Sequence, residues 1–311
     1  MTLSRRRFLT IASAACLAAA AGGRAAASAS YRWQGVALGA GAQILLDHPQ
    51  AERIARDAVA EIARLEQVFS LHRPGSELSR LNREGRLAAP SFDLLDCLAL
   101  AGRVHWLSEG RFDPTVQPLW AVLAEAGARG EDPDPARIAA ARAALGFERV
   151  RFDASAVVLS PGQALTLNGI AQGWIADAVA DRMRAAGVSD VLVDAGEIVA
   201  LGHAPDGEGW PVRIKGEAEA RRLSGRALAT SASLGTVLRD AAADDDRLGH
   251  ILDPRGEMRP TRGPTARTVS VSAPRAALAD ALSTALCLAE DRSQAETLCD
   301  AAAGAWLEAF A

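Results

Sequence analysis

Lysine is almost absent from this chain of 311 residues: Lys215 is the only one, so arginine carries nearly all of the positive charge. The formal net charge is only −4, and no cluster of basic residues is interleaved with aromatic side chains. The strongly basic surface by which proteins bind nucleic acid is therefore missing, and no nucleic-acid partner is expected. Beyond residue 21, no apolar run is long enough to span a bilayer of about 30 Å.

Cysteine is also scarce, and no two cysteines have the Cys-x-x-Cys spacing of a metal or haem site. If Cys16 is removed with an N-terminal signal, Cys97, Cys287 and Cys299 remain, an odd number that leaves at least one thiol without an intramolecular partner. Cys287 and Cys299 could pair, but both stand in Ala- and Leu-rich helical sequence. We predict buried free cysteines.

The N-terminus carries paired arginines followed by Phe8 and Leu9, then a weakly apolar stretch over residues 11–21 that is too short to cross a membrane. Small residues follow at 25–28, where a signal peptidase could cut. This pattern resembles a twin-arginine (Tat) signal, which predicts a signal peptide over residues 1–27, a mature domain over 28–311 and a periplasmic location. The alternatives are a disordered basic tail and a lipoprotein signal ending at Cys16, which lacks the usual upstream leucine.

Helical and strand patterns alternate irregularly along the rest of the chain. Apolar residues recur at three- and four-residue steps from Ile54 to Phe69, which predicts a helix introduced by Pro49. Asp134 and Pro135 have the order of a helix cap and first turn. Further helices are predicted over residues 92–108, 174–186, 275–290 and 293–310. A strand or hairpin is predicted over 36–46, and strands over 164–167, 191–193, 211–215, 226–230 and 268–273. Without a regular β–α–β rhythm, the pattern indicates an α+β fold with mixed sheets flanked by helices.

Residues 165–173 are typical of an extended segment that enters a glycine turn and then a helix. The start of a helix offers unpaired N–H groups and the positive end of a dipole, and both suit a phosphate group. The glycines could equally serve only to make the turn.

Asp280 and Thr284 lie four residues apart in a predicted helix and therefore share one of its faces. A carboxylate and a hydroxyl are hard oxygen ligands, which suit Mg²⁺ or Ca²⁺ better than zinc. The alternative is a solvated or capping Asp beside a Thr that bonds its own helix.

Residues 250–256 place His250, Asp253 and Arg255 beside a Pro–Gly turn, in a loop of the kind that often displays functional groups. His250 could exchange a proton near neutral pH. The same residues also fit a turn in which Asp253 caps its own backbone.

Together and in this order, these segments resemble the FAD:protein FMN transferases, the ApbE family, over most of the chain after the signal. The resemblance is carried by six segments of this sequence: 69–82, 110–119, 166–177, 229–231, 250–255 and 279–284. It implies an ApbE-like α+β fold over residues 28–311.

The resemblance also implies a reaction, in which a Ser or Thr hydroxyl of an acceptor protein attacks FAD, takes its FMN and releases AMP. It implies two partners, FAD and a membrane or periplasmic acceptor protein; the signal pattern adds the Tat export machinery as a third. Asp280, Thr284 and the backbone carbonyl of Gly169 would hold Mg²⁺ or another divalent cation. Catalytic roles fall to Asp280 and to His250, which we expect to assist the acceptor hydroxyl. Residues that would line the FAD site are Leu38, His72, Arg111, Phe112, Asp113, Thr166, Gln172, His250 and Ile251.

Two charged positions of the family pattern are neutral here, since Thr166 replaces an Asp and Gln172 replaces a Lys. An ion pair could thus have become a neutral hydrogen-bonding pair. His72 replaces an aromatic residue that would stack on the flavin ring. These departures leave two other functions open, a FAD pyrophosphatase and a FAD-binding maturation factor without turnover.

Overall fold

A computed structural model describes residues 31–214, 217, 219–239, 247–256 and 267–311. The predicted signal peptide over residues 1–27 lies outside these ranges, as does Lys215, so the signal and its cleavage site stay predictions. No helix in the described ranges is both long enough and apolar enough to cross a membrane.

Several of the described helices begin at a residue whose side chain caps them. Ser76 and Ser91 accept the backbone N–H groups of Ser79 and Leu94, and Asp134 caps a helix that has proline in its first turn. The starts predicted near residues 50, 92 and 135 are confirmed. Within the described ranges the helices are α1 (Ala51–Phe69), α2 (Glu77–Glu84), α3 (Phe92–Leu107), α4 (Gln117–Arg129), α5 (Pro135–Ala143), α6 (Ala171–Ala185), α7 (Ala276–Leu286) and α8 (Arg292–Asp300).

The largest sheet has seven strands, all antiparallel, in the order β1-β2-β6-β7-β10-β13-β14. Smaller sheets are β3-β5-β4, β8-β9 and β11-β12. The strands are β1 (Tyr31–Ala37), β2 (Ala40–Leu46), β3 (Arg86–Ala88), β4 (Arg151–Phe152), β5 (Ala156–Val158), β6 (Val191–Asp194), β7 (Ile198–Leu201), β8 (Trp210–Arg213), β9 (Ala220–Leu223), β10 (Arg226–Ala232), β11 (Val237–Arg239), β12 (Leu248–Gly249), β13 (Thr268–Ala273) and β14 (Trp306–Phe310). The predicted α+β architecture is confirmed.

Alternating side chains of the large sheet enter two different hydrophobic cores. Val193 and Ala229 belong to the main core, which they share with residues of α1, α6 and α7. Their neighbours Leu192 and Leu228 face the other way, into a smaller core with Trp210 of the β8–β9 hairpin. The sheet is thus covered on both faces, with α6 and α7 on the face that carries the candidate site.

Two predicted elements are wrong. Residues 164–167 form no strand with the part of the chain that the structure describes; Asn82 instead bonds both the N–H and the carbonyl of Leu165, at 2.7 and 2.8 Å. The last predicted helix stops at Asp300, because residues 306–310 form β14, which extends the large sheet beside β13. The prediction of buried free cysteines is confirmed for Cys97, Cys287 and Cys299.

Candidate active site

The site is built around the contact between α6 and α7. A Cβ atom on Gly173 would lie 2.4 Å from the carbonyl oxygen of Ala276, so the two helices touch through their backbones. The N–H of Gly173 donates to Oδ2 of Asp280 at 3.2 Å, and Asp280 is only 3% exposed. The start of α6 thereby holds the carboxylate of α7 in one position.

Asp177 fixes the start of α7. Its two carboxylate oxygens accept the N–H groups of Ala276 and Ala277 at 2.9 and 3.0 Å, two of the donors that a helix leaves unpaired in its first turn. Arg275 at the N-cap makes no side-chain capping bond of its own and lies 3.3 Å from Asp177. A residue of α6 therefore caps α7.

The three predicted metal ligands converge at this junction. Asp280 and Thr284 lie one turn apart on α7, and a Cβ on Gly169 would be 2.9 Å from Oγ1 of Thr284. Ser231 of β10 adds hydrogen bonds of 2.8 Å to Ser283 and 3.1 Å to Thr284. Glycine at 169 thus allows the backbone to approach the Thr284 hydroxyl.

The donor set of this junction suits a hard cation. One carboxylate, one hydroxyl and one carbonyl supply only oxygen, as Mg²⁺ and Ca²⁺ prefer. The described residues contain no group of three or more His, Cys, Asp or Glu side chains that could hold a metal ion by themselves. Burial raises the pKa of Asp280 to about 7. A divalent cation bound beside the carboxylate would oppose this shift, because a nearby positive charge favours the ionised form.

The turn between β6 and β7 brings two more acids towards this junction. Burial raises the pKa of Asp194 to about 6 and raises that of Glu197, whose ionisation is further opposed by the charges of Asp280 and Asp194. Glu197 accepts the N–H of Thr230 at 3.3 Å. No signal in the sequence had marked either acid.

Gln172 packs against this turn and is buried, yet its Nε2 atom has no hydrogen-bond partner among the described residues. A Cβ on Gly196 would lie 2.6 Å from that atom. Thr166 makes other contacts, donating its N–H to Pro114 at 2.8 Å and accepting the N–H of Asn168 at 3.3 Å. The neutral hydrogen-bonding pair expected between Thr166 and Gln172 is therefore wrong.

The segment 111–113 lies beside Gly169. The ring of Phe112 comes within 3.3 Å of a Cβ built on that glycine. The carbonyl of Phe112 lies 2.9 Å from Nδ1 of His105, and Asp113 accepts both the N–H and the hydroxyl of Thr115. Arg111 is buried, with Nη1 donating to Glu109 and to the carbonyl of Ser108.

His250 lies directly after β12 and is held by Thr236. Nδ1 is 3.2 Å from the backbone nitrogen of Thr236 and 3.3 Å from its carbonyl oxygen. Burial lowers the pKa of His250, partly opposed by the Thr236 hydrogen bond, so the imidazole is neutral at pH 7. The next residue, Ile251, packs against the main core, and Arg255 bonds Asp253 with two nitrogens.

Leu38 and His72 occupy two other loops. Leu38 lies at the tip of the β1–β2 hairpin, and His72 is exposed in the turn between α1 and α2, where its N–H donates to Ser70 at 3.1 Å. No hydrogen bond among the described residues joins either one to Asp280 or Thr284. Leu38 packs against the main core, which also contains residues of α6 and α7.

Comparison with known proteins identifies the family. A sequence model of the ApbE family matches residues 36–305. The chain belongs to the ApbE family. It is 30% identical over 239 residues to a FAD:protein FMN transferase of Klebsiella pneumoniae (strain 342), covering 72% of each chain. The solved apo structure of the Pseudomonas stutzeri flavinyl transferase ApbE is 27% identical with a TM-score of 0.72, covering 86% of this chain and 87% of that one.

The same fold is found in a Vibrio cholerae flavin transferase ApbE variant in which a histidine is replaced by glycine. That structure is 24% identical with a TM-score of 0.75, covering 90% of this chain and 95% of that one.

In this ApbE-family chain, several motif residues organise the scaffold of the site. Asn82 clamps the segment that carries Thr166, and Asp177 caps the helix that carries Asp280. Asn82 and Asp177 are the last residues of two segments that carry the family resemblance, 69–82 and 166–177. The sequence predicted no role for either residue. Glu66, whose Oε1 accepts the N–H of Leu38 at 2.9 Å, carried no such signal.

Proposed function

We propose that this protein transfers FMN from FAD to a Ser or Thr hydroxyl of an acceptor protein and releases AMP. One observation carries the proposal. Gly169, Asp280 and Thr284 meet where α6 begins, in a chain that matches the ApbE family over residues 36–305. The start of α6 presents the positive end of its helix dipole to a phosphate, and the three residues offer oxygens to a cation beside it.

A divalent cation, Mg²⁺ in the first instance, would be held by Asp280, Thr284 and the carbonyl of Gly169. When bound, it would offset the negative charge of the FAD pyrophosphate and polarise its oxygens. Asp280 is the only carboxylate of the three, so it supplies the negative charge of the site. Ser231 orients the Thr284 hydroxyl through its 3.1 Å hydrogen bond.

His250 would act as the proton acceptor for the attacking hydroxyl. Nε2 can take a proton in the tautomer whose Nδ1 carries the hydrogen and donates to the carbonyl of Thr236, but not in the one whose Nδ1 accepts the Thr236 N–H. The acceptor oxygen then forms a bond to the FMN phosphorus, the bond from that phosphorus to the AMP phosphate oxygen breaks, and AMP leaves. The lowered pKa of His250 favours this role because the ring is neutral before the reaction.

The remaining FAD contacts are proposed from the family pattern. They comprise Leu38, His72, Arg111, Phe112, Asp113, Thr166, Gln172 and Ile251. Support differs among them: the Phe112 ring would lie 3.3 Å from a Cβ on Gly169, and Gln172 offers a buried amide donor that has no partner in the described ranges. Such an unpaired donor is costly unless a ligand or water bonds it.

We also propose that the protein is exported by the Tat machinery and acts in the periplasm on a redox protein. The paired arginines at 5 and 6, followed by Phe8 and Leu9, support this location. Export of a reporter fused to residues 1–30 should cease when Arg5 and Arg6 are both changed to Lys. Continued export would contradict the Tat assignment.

The deciding experiment incubates the protein with FAD and Mg²⁺, with and without a Ser- or Thr-containing acceptor. AMP together with an FMN-labelled acceptor supports transfer. AMP together with free FMN and no labelled acceptor would instead identify a FAD pyrophosphatase, and tight FAD binding without AMP a maturation factor. The variant His250→Ala should bind FAD but transfer FMN slowly; unchanged turnover would refute the proton-acceptor role.

A further inference from the structure

The tip of the β1–β2 hairpin has an unusual residue at its turn. Leu38 and Gly39 both have positive φ, 46° and 84°, as in the tight two-residue turns that favour Asn–Gly. A leucine is disfavoured in this left-handed conformation, so the surrounding structure has to hold it there. Leu38 is also one of the proposed FAD contacts.

Glu66 supplies that support from α1. Its Oε1 accepts the N–H of Leu38 at 2.9 Å, although 28 residues separate the two in sequence. Its Oε2 forms an ion pair with the guanidinium of Arg73, the residue directly after His72. The Glu66 side chain is only 13% exposed, so water competes weakly for these bonds.

The turn that carries His72 is otherwise anchored at its base. Ser70 accepts the N–H groups of His72 and Arg73 with its hydroxyl, at 3.1 and 3.2 Å. The hydroxyls of Ser76 and Ser79 donate to the Ser70 carbonyl at 2.5 and 2.9 Å. These bonds set the shape of the turn, but none of them reaches the hairpin tip. Among the described residues, Glu66 hydrogen-bonds both the hairpin tip and the turn.

We propose that Glu66 is a positioning residue that sets the spacing between Leu38 and His72 and thereby the affinity for the flavin end of FAD. The inference rests on the proposed function for its ligand. One carboxylate oxygen holds the Leu38 backbone and the other holds the His72 turn through Arg73. Loss of Glu66 releases both loops while the helix junction around Asp280 stays intact.

The test compares FAD affinity and turnover in variants of the full chain. Glu66→Leu should weaken FAD binding about 10-fold or more, since loss of a hydrogen bond to a charged group has effects of that order. The kcat at saturating FAD and acceptor should change less than about 3-fold. Glu66→Gln keeps an acceptor for Leu38 and should recover part of the affinity. Asp57→Asn, which breaks an exposed ion pair with Arg53 on the same helix, is the matched control and should change neither.

A charge exchange separates positioning from a simple ion pair. Glu66→Arg combined with Arg73→Glu could restore the pair, but it would present a donor to the N–H of Leu38. We expect FAD affinity to stay low in this double variant. Recovery of affinity would overturn the proposal, as would a Glu66→Leu variant that binds FAD like the Asp57→Asn control.

Two measurements keep the test independent of catalysis and of folding failure. Hydrogen exchange at the Leu38 amide should accelerate in Glu66→Leu and stay slow in Arg73→Met, which keeps the Leu38 bond. Arg73 is half exposed, so Arg73→Met should fold even if a Glu66 variant does not, and it should lower FAD affinity by a smaller factor. Unchanged affinity in Arg73→Met would refute the link to the His72 turn. Hydrogen exchange and FAD affinity are both measured without an acceptor protein. Absence of AMP release by the wild-type chain would therefore refute the transferase proposal and leave the proposal about Glu66 to be decided by these two measurements.

Discussion

The two ends of the candidate site are held in different ways. At the α6–α7 junction, backbones touch at Gly173 and Ala276, and the buried carboxylates of Asp177 and Asp280 bond backbone N–H groups. At the flavin end, Leu38 and His72 lie in loops held by hydrogen bonds to the partly buried side chains of Glu66 and Ser70. Changes at the junction should therefore act on stability and chemistry, whereas changes in the loops should act on FAD affinity.

The largest effect is expected at Asp280. Asp280→Asn keeps an oxygen to accept the Gly173 N–H but removes the charge that would bind a divalent cation. FMN transfer should fall by about 100-fold or more, the scale of losing one electrostatic contact to a reacting phosphate. Stability without metal should not fall, because burying an ionised carboxylate is costly. Rates of AMP release and denaturant unfolding measure the two effects.

Metal dependence provides the control for this prediction. Mg²⁺ should raise the melting temperature of the wild-type protein, since a ligand that binds only the folded state stabilises it, and should not raise that of Asp280→Asn. The exposed Asp181 on α6 serves for comparison, and Asp181→Asn should respond to Mg²⁺ like the wild type. Equal stabilisation of the Asp280 variant would show that the cation binds elsewhere.

The next largest effect tests how the junction is held. Asp177→Ala leaves the N–H groups of Ala276 and Ala277 without partners at the buried start of α7. Unfolding free energy should fall by about 3 kcal/mol, from the loss of two buried charge-assisted hydrogen bonds. Asp181→Ala removes the other carboxylate that pairs with Arg275, on the surface, and should cost less than about 0.5 kcal/mol. Similar losses in both variants would contradict the capping role.

The junction also marks the limit of prediction from sequence. Asp280 and Thr284 could be placed on one face because helical spacing is local, and Gly169 stood out beside a helix start. The partner of Asp177 is 99 residues away, and the bonds of Asn82 to Leu165 span 83 residues. Nothing in the spacing of side chains along the chain encodes such contacts.

The wrong elements have the same origin. Residues 164–167 have the apolar character of a strand, but Asn82 occupies the backbone groups that a neighbouring strand would need. Residues 306–310 continue an Ala-rich helical pattern, but Gly304 adopts a φ of 77° just before them, and β13 offers an edge to pair with. In both places tertiary partners decide between conformations that local preference leaves open.

A smaller effect with a pH signature is expected at Asp194. The ordinary pKa of this carboxyl is 3.8, and burial raises it to about 6 in the folded state. The folded state therefore binds the proton more tightly, and stability falls as pH rises from about 4 to about 6. Asp194→Asn keeps the acceptor for the Gly196 N–H and should make this slope shallower; Asp280 and Glu197, whose pKa values burial also raises, supply the remainder. The variant should gain on the order of 2 kcal/mol at pH 7. Urea unfolding at pH 4.5, 6 and 7.5 measures the slope, and an unchanged slope would assign it to another group.

The smallest expected change in stability distinguishes a buried side chain that stabilises the fold from one that bonds a ligand. Gln172→Met keeps the shape of the side chain and removes a buried amide whose Nε2 has no partner in the part of the chain that the structure describes, so the free protein should gain about 1 kcal/mol. Gln163 is an equally buried glutamine, but it bonds Ser160 and Gly146 at 2.8 and 2.9 Å, so Gln163→Met should lose about 1–3 kcal/mol. If the Gln172 amide serves FAD, the stabilised variant should bind FAD more weakly, as calorimetry would measure. A Gln172→Met variant that is more stable but binds FAD more weakly would show that the Gln172 amide bonds the ligand. A loss of stability in both glutamine variants would show that Gln172 stabilises the fold.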